Sequence, residues 1–325
     1  MNNLIMSPSP HRNSDVTTRK IMGLVLSALA PAVIAAVVFF GIRALILIAV
    51  CTVSSVFFEY ICRSIMKREQ TVNDLSAAVT GVILALNLPV TLPLWMAVIG
   101  SFIAIVIVKQ LFGGIGQNFA NPAITARIVL MVSFTGQMTT WAVPQYWTSD
   151  TFSGPGIILN SSSVLTGPTP LVSGNASLIS LFLGNTGGCI GETSALALLI
   201  GGLYLIFKKV ITPAAPFSFI GTVALLTLIS GGDVMYQILS GGLFLGAFFM
   251  ATDYATSPVT NKGRVIFGIG CGIITFVIRK FGGYPEGVSF SILLMNILTP
   301  YIDMFTKTTP LGAKKPEKEV TENAK

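Results

Sequence analysis

Ten apolar segments run through this sequence and constrain its fold more than any other feature. They are Ile21–Ile42, Ala44–Ile65, Asn73–Val90, Leu94–Val108, Asn118–Phe134, Thr193–Phe207, Ala214–Ser230, Met235–Ala251, Val265–Ile278 and Val288–Tyr301. A helix needs about 20 mostly apolar residues to cross a bilayer, so each segment is a candidate span and several are short. The pattern predicts an all-α polytopic membrane protein with about ten transmembrane helices.

The scarcity of charge excludes a soluble fold. Charged residues make up 10% of the 325 residues, against roughly 25% in soluble domains. Hydrophobic residues make up 52%, which also excludes a disordered or collagen-like chain. The net charge of +7 fits loops beside anionic membrane lipid. The basic residues form no single stripe, so we expect no nucleic-acid partner.

The positions of Lys and Arg predict the orientation. With the amino terminus inside and ten crossings, 16 of the 20 basic residues lie inside, three lie outside, and Arg127 lies within a span. We therefore expect a multi-pass membrane protein with both termini in the cytoplasm. The regions are a cytoplasmic leader (1–20), a first membrane half (21–134), an extracytoplasmic loop (135–192), a second membrane half (193–303) and a cytoplasmic tail (304–325).

A weak similarity between two segments of the sequence indicates an inverted repeat. Residues 108–114 and 278–283 each combine basic, aromatic and paired glycine residues, and each precedes a polar patch and another span. The first copy closes a span inside and the second closes one outside. Together with 32 glycines, this predicts a 5+5 inverted arrangement with short or broken helices, as in many transporters.

The cysteines and the histidine argue against a metal centre in this chain. None of the four cysteines forms a CxxC pair, and the single histidine, His11, lies in the polar leader. We therefore expect no zinc site and no iron–sulfur cluster held by this chain alone. The glycine fingerprint of a dinucleotide-binding fold is also missing, so the chain is not expected to bind NADH.

The outer loop contains the sequence Leu-Thr-Gly-Pro-Thr-Pro-Leu at residues 165–171. Proline forces the preceding residue towards an extended backbone, so Thr169 before Pro170 is expected to be extended. Its hydroxyl is expected to point outward, within reach of a modifying enzyme. The alternative is a proline-stiffened loop without a role.

This segment resembles the outer-face motif of the D subunit of Rnf complexes and of the B subunit of sodium-pumping NADH:quinone reductase. The matching residues are Thr166, Gly167 and Thr169, followed by Pro170 and Leu171. Pro168 stands where the family usually has Ala, and Ser163 where it often has Asp. In that family the final threonine is joined to FMN by a phosphoester bond. The resemblance implies the same modification at Thr169.

Further matches extend along nearly the whole chain. They include residues 7–11, 18–22, 112–114, 118, 121–123, 250–253, 256–258, 281–287 and 294–296, and Asp303. The resemblance implies a membrane subunit of an ion-translocating ferredoxin:NAD oxidoreductase that relays electrons through FMN on the outer face. It implies sister subunits and a flavin transferase as partners, and it leaves room for a second, non-covalent flavin that no motif locates.

Other function classes stay open at this point. A solute channel or transporter of the urea or ammonium type would also fit the ten spans, the abundant glycine and the internal sequence similarity. A structural scaffold for neighbouring subunits is a third alternative.

Four charged residues in or beside the spans are weighed separately. A charged Arg127 inside the membrane costs free energy, so it is expected to face the protein interior and either an anion or backbone carbonyls. The anion could be the flavin. The alternative is that Arg127 caps a broken helix and reaches a polar surface. Asp253 and Asp74 are candidates for an ion path or, alternatively, helix-end carboxylates. Glu286 is interpreted as a helix-start residue.

Overall fold

The computed structural model describes residues 16–144, 167–174, 176–283 and 286–308. The helices are α1 (Thr18–Phe40), α2 (Ile42–Ile65), α3 (Ser76–Leu86), α4 (Leu94–Phe102), α5 (Pro122–Ser133), α6 (Thr135–Met138), α7 (Pro170–Ser173), α8 (Leu178–Leu183), α9 (Ala195–Phe207), α10 (Ala214–Ile229), α11 (Val234–Leu239), α12 (Leu243–Leu245), α13 (Asn261–Phe281) and α14 (Val288–Phe305). A 3₁₀ turn (Val72–Asp74) precedes α3, and π-helical stretches continue α4 (Ile103–Gln110) and α12 (Gly246–Met250).

The all-helical, membrane-type architecture is confirmed. Within the described ranges, α1, α2 and α14 are long and apolar enough to cross a membrane, and the shorter helices α3, α5, α9 and α10 are also apolar. Each of the ten predicted apolar segments contains helix. The number of crossings and the inverted repeat stay predictions.

Two of the predicted spans end where chain segments that are distant in sequence pack against them. Helix α3 stops at Leu86, where the Leu86 and Leu88 carbonyls accept hydrogen bonds from Gly191 N (2.7 Å) and Ile190 N (3.0 Å). The second break follows Met250, whose carbonyl accepts a hydrogen bond from Asn121 Nδ2 at 3.3 Å. At each break, backbone carbonyls thus accept hydrogen bonds from residues far away in the chain, which is what permits broken helices in a membrane.

The predicted outer loop is not wholly peripheral. Its last residues, including Cys189 and Glu192, are buried and lie against the end of α3. Residues 145–166 of the loop, including Thr166, lie outside the described residues, as do the leader up to residue 15 and the tail from residue 309.

Small residues bring α10 and α13 into close contact. A Cβ atom on Gly268 would overlap Ser218 Oγ and would lie 2.7 Å from the Ala215 carbonyl oxygen. One turn further along α13, a Cβ on Gly272 would lie 2.6 Å from Thr222 Cβ. Glycines four residues apart on one helix face allow two backbones to approach, as in membrane helix pairs generally.

We expect Gly268→Leu to destabilise the protein by about 1–3 kcal/mol, because the side chain overpacks the contact with α10. The measurement is the Tm of the purified chain in detergent. Gly221→Leu is the matched control: Gly221 lies in α10, and a Cβ added there would have no described atom within 4 Å. Equal Tm values for the two variants would show that the glycine contact is unimportant.

Candidate functional site

Arg127 is buried in the protein and is bound by polar groups. It is 4% exposed and lies in α5, which begins at Pro122 with Asn121 as its N-cap. Arg127 Nη1 donates to Asn87 Oδ1 at 2.8 Å, and Nη2 donates to Glu192 Oε1 at 2.9 Å and to Glu286 Oε2. The guanidinium therefore faces carboxylates, and the alternative in which it reaches a polar surface is wrong.

The residues around Arg127 come from distant parts of the chain. Asn87 follows α3, Glu192 precedes the N-cap of α9, and Glu286 precedes α14. Cys189 completes the group, with its Sγ 3.4 Å from Arg127 Nη2. We call Asn87, Arg127, Cys189, Glu192 and Glu286 the Arg127 cluster. All five are at most 7% exposed, so their mutual contacts replace hydration.

The helix-start interpretation of Glu286 needs correction. Its carboxylate pairs with Arg127, so it contributes to a buried ion cluster beyond any interaction with a helix dipole. Burial raises the pKa of the Glu286 carboxyl, Arg127 opposes this rise, and the Glu192 carboxylate adds to it. Burial also opposes ionisation of Glu192, but Arg127 and further hydrogen bonds hold its pKa below the ordinary value.

The cluster contains groups of the kinds that bind metals. Atoms of Cys189, Glu192 and Glu286 lie within 4.8 Å of one another. Arg127 Nη2 donates to all three, so a divalent ion would have to displace a guanidinium. The sequence predicts no metal site, and it does not predict this grouping.

Thr169 lies beside the Arg127 cluster. Its backbone is extended, with φ −63° and ψ 157°, and Pro170 opens the short helix α7 directly after it. This conformation is the one that the proline spacing predicts. The expectation of an outward-pointing hydroxyl is wrong, because Thr169 is 3% exposed.

The burial of Thr169 has an identifiable cause. Tyr236 Oη donates to the Pro170 carbonyl at 2.6 Å and ties α7 to α11. The Leu171 side chain packs against Gly241, where a Cβ would lie 2.8 Å from Leu171 Cδ1. These contacts hold the segment against the helix bundle. Gly167 is also held in place, because its N–H donates to the Trp141 carbonyl at 3.1 Å.

A small cavity joins Thr169 to the cluster. Its volume is about 10 Å³, and its lining includes Thr169, Gly187, Gly188, Glu192 and Glu286. Such a cavity holds about one water molecule. Within the described part of the chain, Thr169 Oγ1 and Glu286 Oε1 both lack a hydrogen-bond partner.

A larger cavity lies at the other break, beside Asn121. It has a volume of about 250 Å³. Its walls are mainly apolar and include Val25, Val79, Ile83, Phe248 and Phe249, and its polar groups include Ser76, Lys109, Asn118, Asn121 and Asp253. An apolar cavity with a few convergent polar groups is typical of a small-molecule site.

Lys109 is a buried residue of this cavity that sequence reasoning missed. It lies at the end of the π-helical stretch and is 3% exposed. Its Nζ lies 3.0 Å from Glu59 Oε1 and donates to Ser76 Oγ at 2.6 Å. Gln110 Nε2 also donates to Glu59 Oε1, at 2.7 Å. The sequence places Lys109 in an inside loop, and only the packing of α2 reveals its partner.

The two candidate ion-path carboxylates differ. Asp74 Oδ1 accepts hydrogen bonds from Ser76 N at 2.8 Å and Ser76 Oγ at 2.6 Å, which fits the helix-start interpretation. Asp253 lines the 250 Å³ cavity and accepts a hydrogen bond from Thr256 Oγ1 at 3.2 Å. The structure therefore brings only Asp253 to a cavity.

The fold and its buried charges define a helical membrane protein with polar sites at broken helices. The chain belongs to the NQR2, RnfD, RnfE family, whose model matches residues 5–312. It is 50% identical to the D subunit of the Na⁺-translocating ferredoxin:NAD⁺ oxidoreductase complex of Acetobacterium woodii, over 98% of each chain. It is 42% identical to the D subunit of the proton-translocating ferredoxin:NAD⁺ oxidoreductase complex of Clostridium ljungdahlii, over 95% of this chain and 96% of the relative.

A third relative has a less specific name. The chain is 38% identical to the D subunit of the ion-translocating oxidoreductase complex of Stutzerimonas stutzeri, over 90% of this chain and 92% of that protein. These comparisons give no support to the urea or ammonium channel alternative.

Proposed function

We propose that this chain is the D-type membrane subunit of an ion-translocating ferredoxin:NAD oxidoreductase, and that it carries FMN on Thr169 and relays electrons on the outer face of a bacterial plasma membrane. The names of relatives that match over nearly the full chain support the complex. The buried hydroxyl of Thr169, which has no hydrogen-bond partner among the described residues, supports the covalent attachment of FMN to this residue. The chain acts as one subunit, together with sister subunits that supply the other redox centres.

The observation that carries the flavin proposal is the unpartnered hydroxyl of Thr169. Most buried polar side-chain atoms have a hydrogen-bond partner. Thr169 Oγ1 has none among the described residues, although Thr169 is 3% exposed. Attaching a phosphoryl group to this oxygen breaks no hydrogen bond seen in that part of the chain. The residue also occupies the acceptor position of the Thr-Gly-x-Thr motif.

The surroundings of Thr169 fit the phosphoester only after a local movement. The 10 Å³ cavity is far too small for an isoalloxazine ring. Segment 167–173 must therefore leave its place against the bundle while the flavin transferase acts. The hydrogen bonds that tie the segment to its surroundings include Tyr236–Pro170 and Gly167–Trp141. Neither belongs to the backbone hydrogen bonds of a long helix, so opening the segment disrupts little of the bundle.

The flavin would supply redox chemistry that this chain's side chains lack. FMN accepts one or two electrons and so can connect one-electron and two-electron carriers. The chain's own contribution is to fix the flavin at one position. Arg279 lies near the anchor, since its Nη2 would be 3.0 Å from a Cβ on Gly241, next to Leu171. Its positive charge is suited to offsetting the charge of a phosphodiester.

The direct test is co-expression with a flavin transferase, followed by a denaturing gel viewed for flavin fluorescence. We expect a fluorescent band at the mass of this chain, because a phosphoester bond survives denaturation. Expression without the transferase is the control and is expected to give no band. A chain that is dark in both samples would contradict the proposal.

We also propose that the 250 Å³ cavity beside Asn121 holds a second, non-covalent flavin. Its volume approaches the lower end of small-molecule pockets, roughly 300 Å³. Apolar walls suit a flat ring, and Lys109, Asn118 and Asp253 offer a donor and acceptor groups for its polar edge. The same position of Asp253 makes it the better candidate, compared with Asp74, for any ion path from the inner side.

Filling this cavity is expected to remove the non-covalent flavin and leave the covalent one. Ile83→Trp adds bulk at a residue that is 6% exposed and lines the cavity. The measurement is flavin released by denaturation, compared with flavin fluorescence retained on the gel. Val132→Trp, on the exposed surface of α5, is the control. If Ile83→Trp and Val132→Trp release the same amount of flavin, the second flavin either binds elsewhere or is absent.

A further inference from the structure

Two unpartnered oxygens meet in the small cavity between Thr169 and the Arg127 cluster. Glu286 Oε1 and Thr169 Oγ1 have no hydrogen-bond partner among the described residues, and both residues line the cavity together with Glu192. Glu286 is 7% exposed and Thr169 3%. Because buried polar atoms are usually satisfied, both oxygens are available to form a hydrogen bond within the cavity.

The charged groups around the cavity indicate what kind of ligand it can bind. Arg127 contributes one positive charge from α5, and Glu192 and Glu286 contribute two carboxylates. Cys189 is neutral, since burial raises the pKa of its thiol. Arg279, on α13, is a second positive charge near the carboxylates, but its guanidinium donates to the carbonyls of Gln237 (2.6 Å) and Ser240 (3.0 Å), and it forms no ion pair with Glu192 or Glu286 in the described part of the chain. With both carboxylates ionised, the groups in direct contact would carry two negative charges against the single positive charge of Arg127, which is costly in a buried place.

The two carboxylates are also close together, with one oxygen of Glu192 within 4.8 Å of one oxygen of Glu286. Two ionised carboxylates repel and cannot share a hydrogen bond, whereas a carboxyl group and a carboxylate can. Arg127 Nη2 donates to one oxygen of each carboxylate. The other oxygen of Glu286, Oε1, has no partner among the described residues, whereas neither oxygen of Glu192 is left buried and unpartnered there, so Glu286 is the residue with an oxygen free for a proton.

We propose that Glu192 and Glu286 form a binding site for a single proton, which Glu286 carries next to Thr169. With the proton bound, the cluster of Arg127, Glu192 and Glu286 is neutral, and when the proton leaves it carries one negative charge. The site belongs to the unmodified chain and does not depend on the flavin proposal. It places a titratable group at the proposed anchor of the redox cofactor.

The sign of the pH dependence follows from burial. Burial raises the pKa of Glu286 above its ordinary value, so the folded state holds the proton more tightly than the unfolded state does. This contribution to stability is complete at pH values below the ordinary carboxyl pKa. It is lost as the pH rises through the raised pKa of the folded state.

The test uses the full chain, produced without a flavin transferase and purified in detergent. Its Tm is measured from about pH 5 to about pH 9 in choline chloride, a range that covers documented pKa values of buried Glu. We expect the wild-type Tm to fall by about 2–4 °C or more over this range. Glu286→Gln, which is neutral at every pH, is expected to lose this fall.

Glu69→Gln is the control. Glu69 is exposed, and its side chain forms no ion pair in the described part of the chain, so this variant removes a carboxylate without leaving a buried charge unpaired and is expected to keep the wild-type pH response. If Glu286→Gln does not fold, Glu192→Gln replaces it. That variant leaves Glu286 alone with Arg127, which favours its ionised form, and the pH response is again expected to disappear.

Three results would overturn the proposal. The first is a wild-type Tm that does not change with pH. The second is a pH response that persists in the Glu286→Gln variant, or in Glu192→Gln where that variant replaces it. The third is recovery of the wild-type Tm at high pH when NaCl replaces choline chloride, because the cavity would then take a metal cation and not a proton.

Discussion

Thr169→Ala is expected to abolish the covalently bound flavin, whereas Thr166→Ala is expected to retain it. Thr169 occupies the acceptor position of the motif, its backbone is extended, and its hydroxyl lacks a partner among the described residues. The measurement is flavin fluorescence on a denaturing gel after co-expression with the transferase. Alanine removes the oxygen that forms the ester, so the loss is expected to be complete.

Two controls make this result specific. Thr169→Ser keeps a hydroxyl and is expected to retain some covalent flavin. The purified amount of each variant is compared, since a poorly folded chain would also be dark. Persistent fluorescence in Thr169→Ala, or its loss in Thr166→Ala, would show that Thr169 is not the anchor.

Arg127→Met is expected to destabilise the protein by about 3–5 kcal/mol, the usual cost of removing one partner from a buried ion pair. The substitution leaves Glu192 and Glu286 buried without their guanidinium partner, and Asn87 Oδ1 without its donor. The measurement is the Tm of the purified chain in detergent. Arg127→Lys keeps the charge but loses the forked donor geometry, and is expected to fall between the wild type and Arg127→Met.

The rescue variant separates charge from packing. The triple variant Arg127→Met, Glu192→Gln, Glu286→Gln removes the carboxylates that Arg127→Met leaves uncompensated. It is expected to recover much of the lost stability, because neutral amides cost less to bury than unpaired carboxylates. A triple variant as unstable as Arg127→Met alone would mean that packing, and not charge, explains the loss.

The helices could be predicted from the sequence because their signal is local. A run of apolar residues such as Ile42–Ile65 specifies a helix without reference to the rest of the chain. The helix breaks could be anticipated only in general, from the abundance of glycine. Their positions depend on partners far away in sequence: the segment that satisfies the end of α3 includes Ile190 and Gly191, which belong to the far side of the outer loop.

The candidate site could also be predicted only in part, because its residues are far apart in the sequence. An arginine inside a span predicts a buried anion, and the structure provides one, but Arg127 is 65 residues from Glu192 and 159 from Glu286. No spacing rule connects residues so far apart. Thr169 shows a different limit: proline chemistry predicts its backbone conformation correctly, but the burial of its side chain depends on contacts with α11 and Gly241.

The intact mass of the purified chain, co-expressed with a flavin transferase, tests the flavin proposal most directly. We expect a mass greater than that of the polypeptide by one FMN less one water, with the added mass located on the peptide that contains Thr169. A chain with the mass of its amino acids alone, under conditions in which the transferase modifies a known acceptor protein, would contradict the proposal.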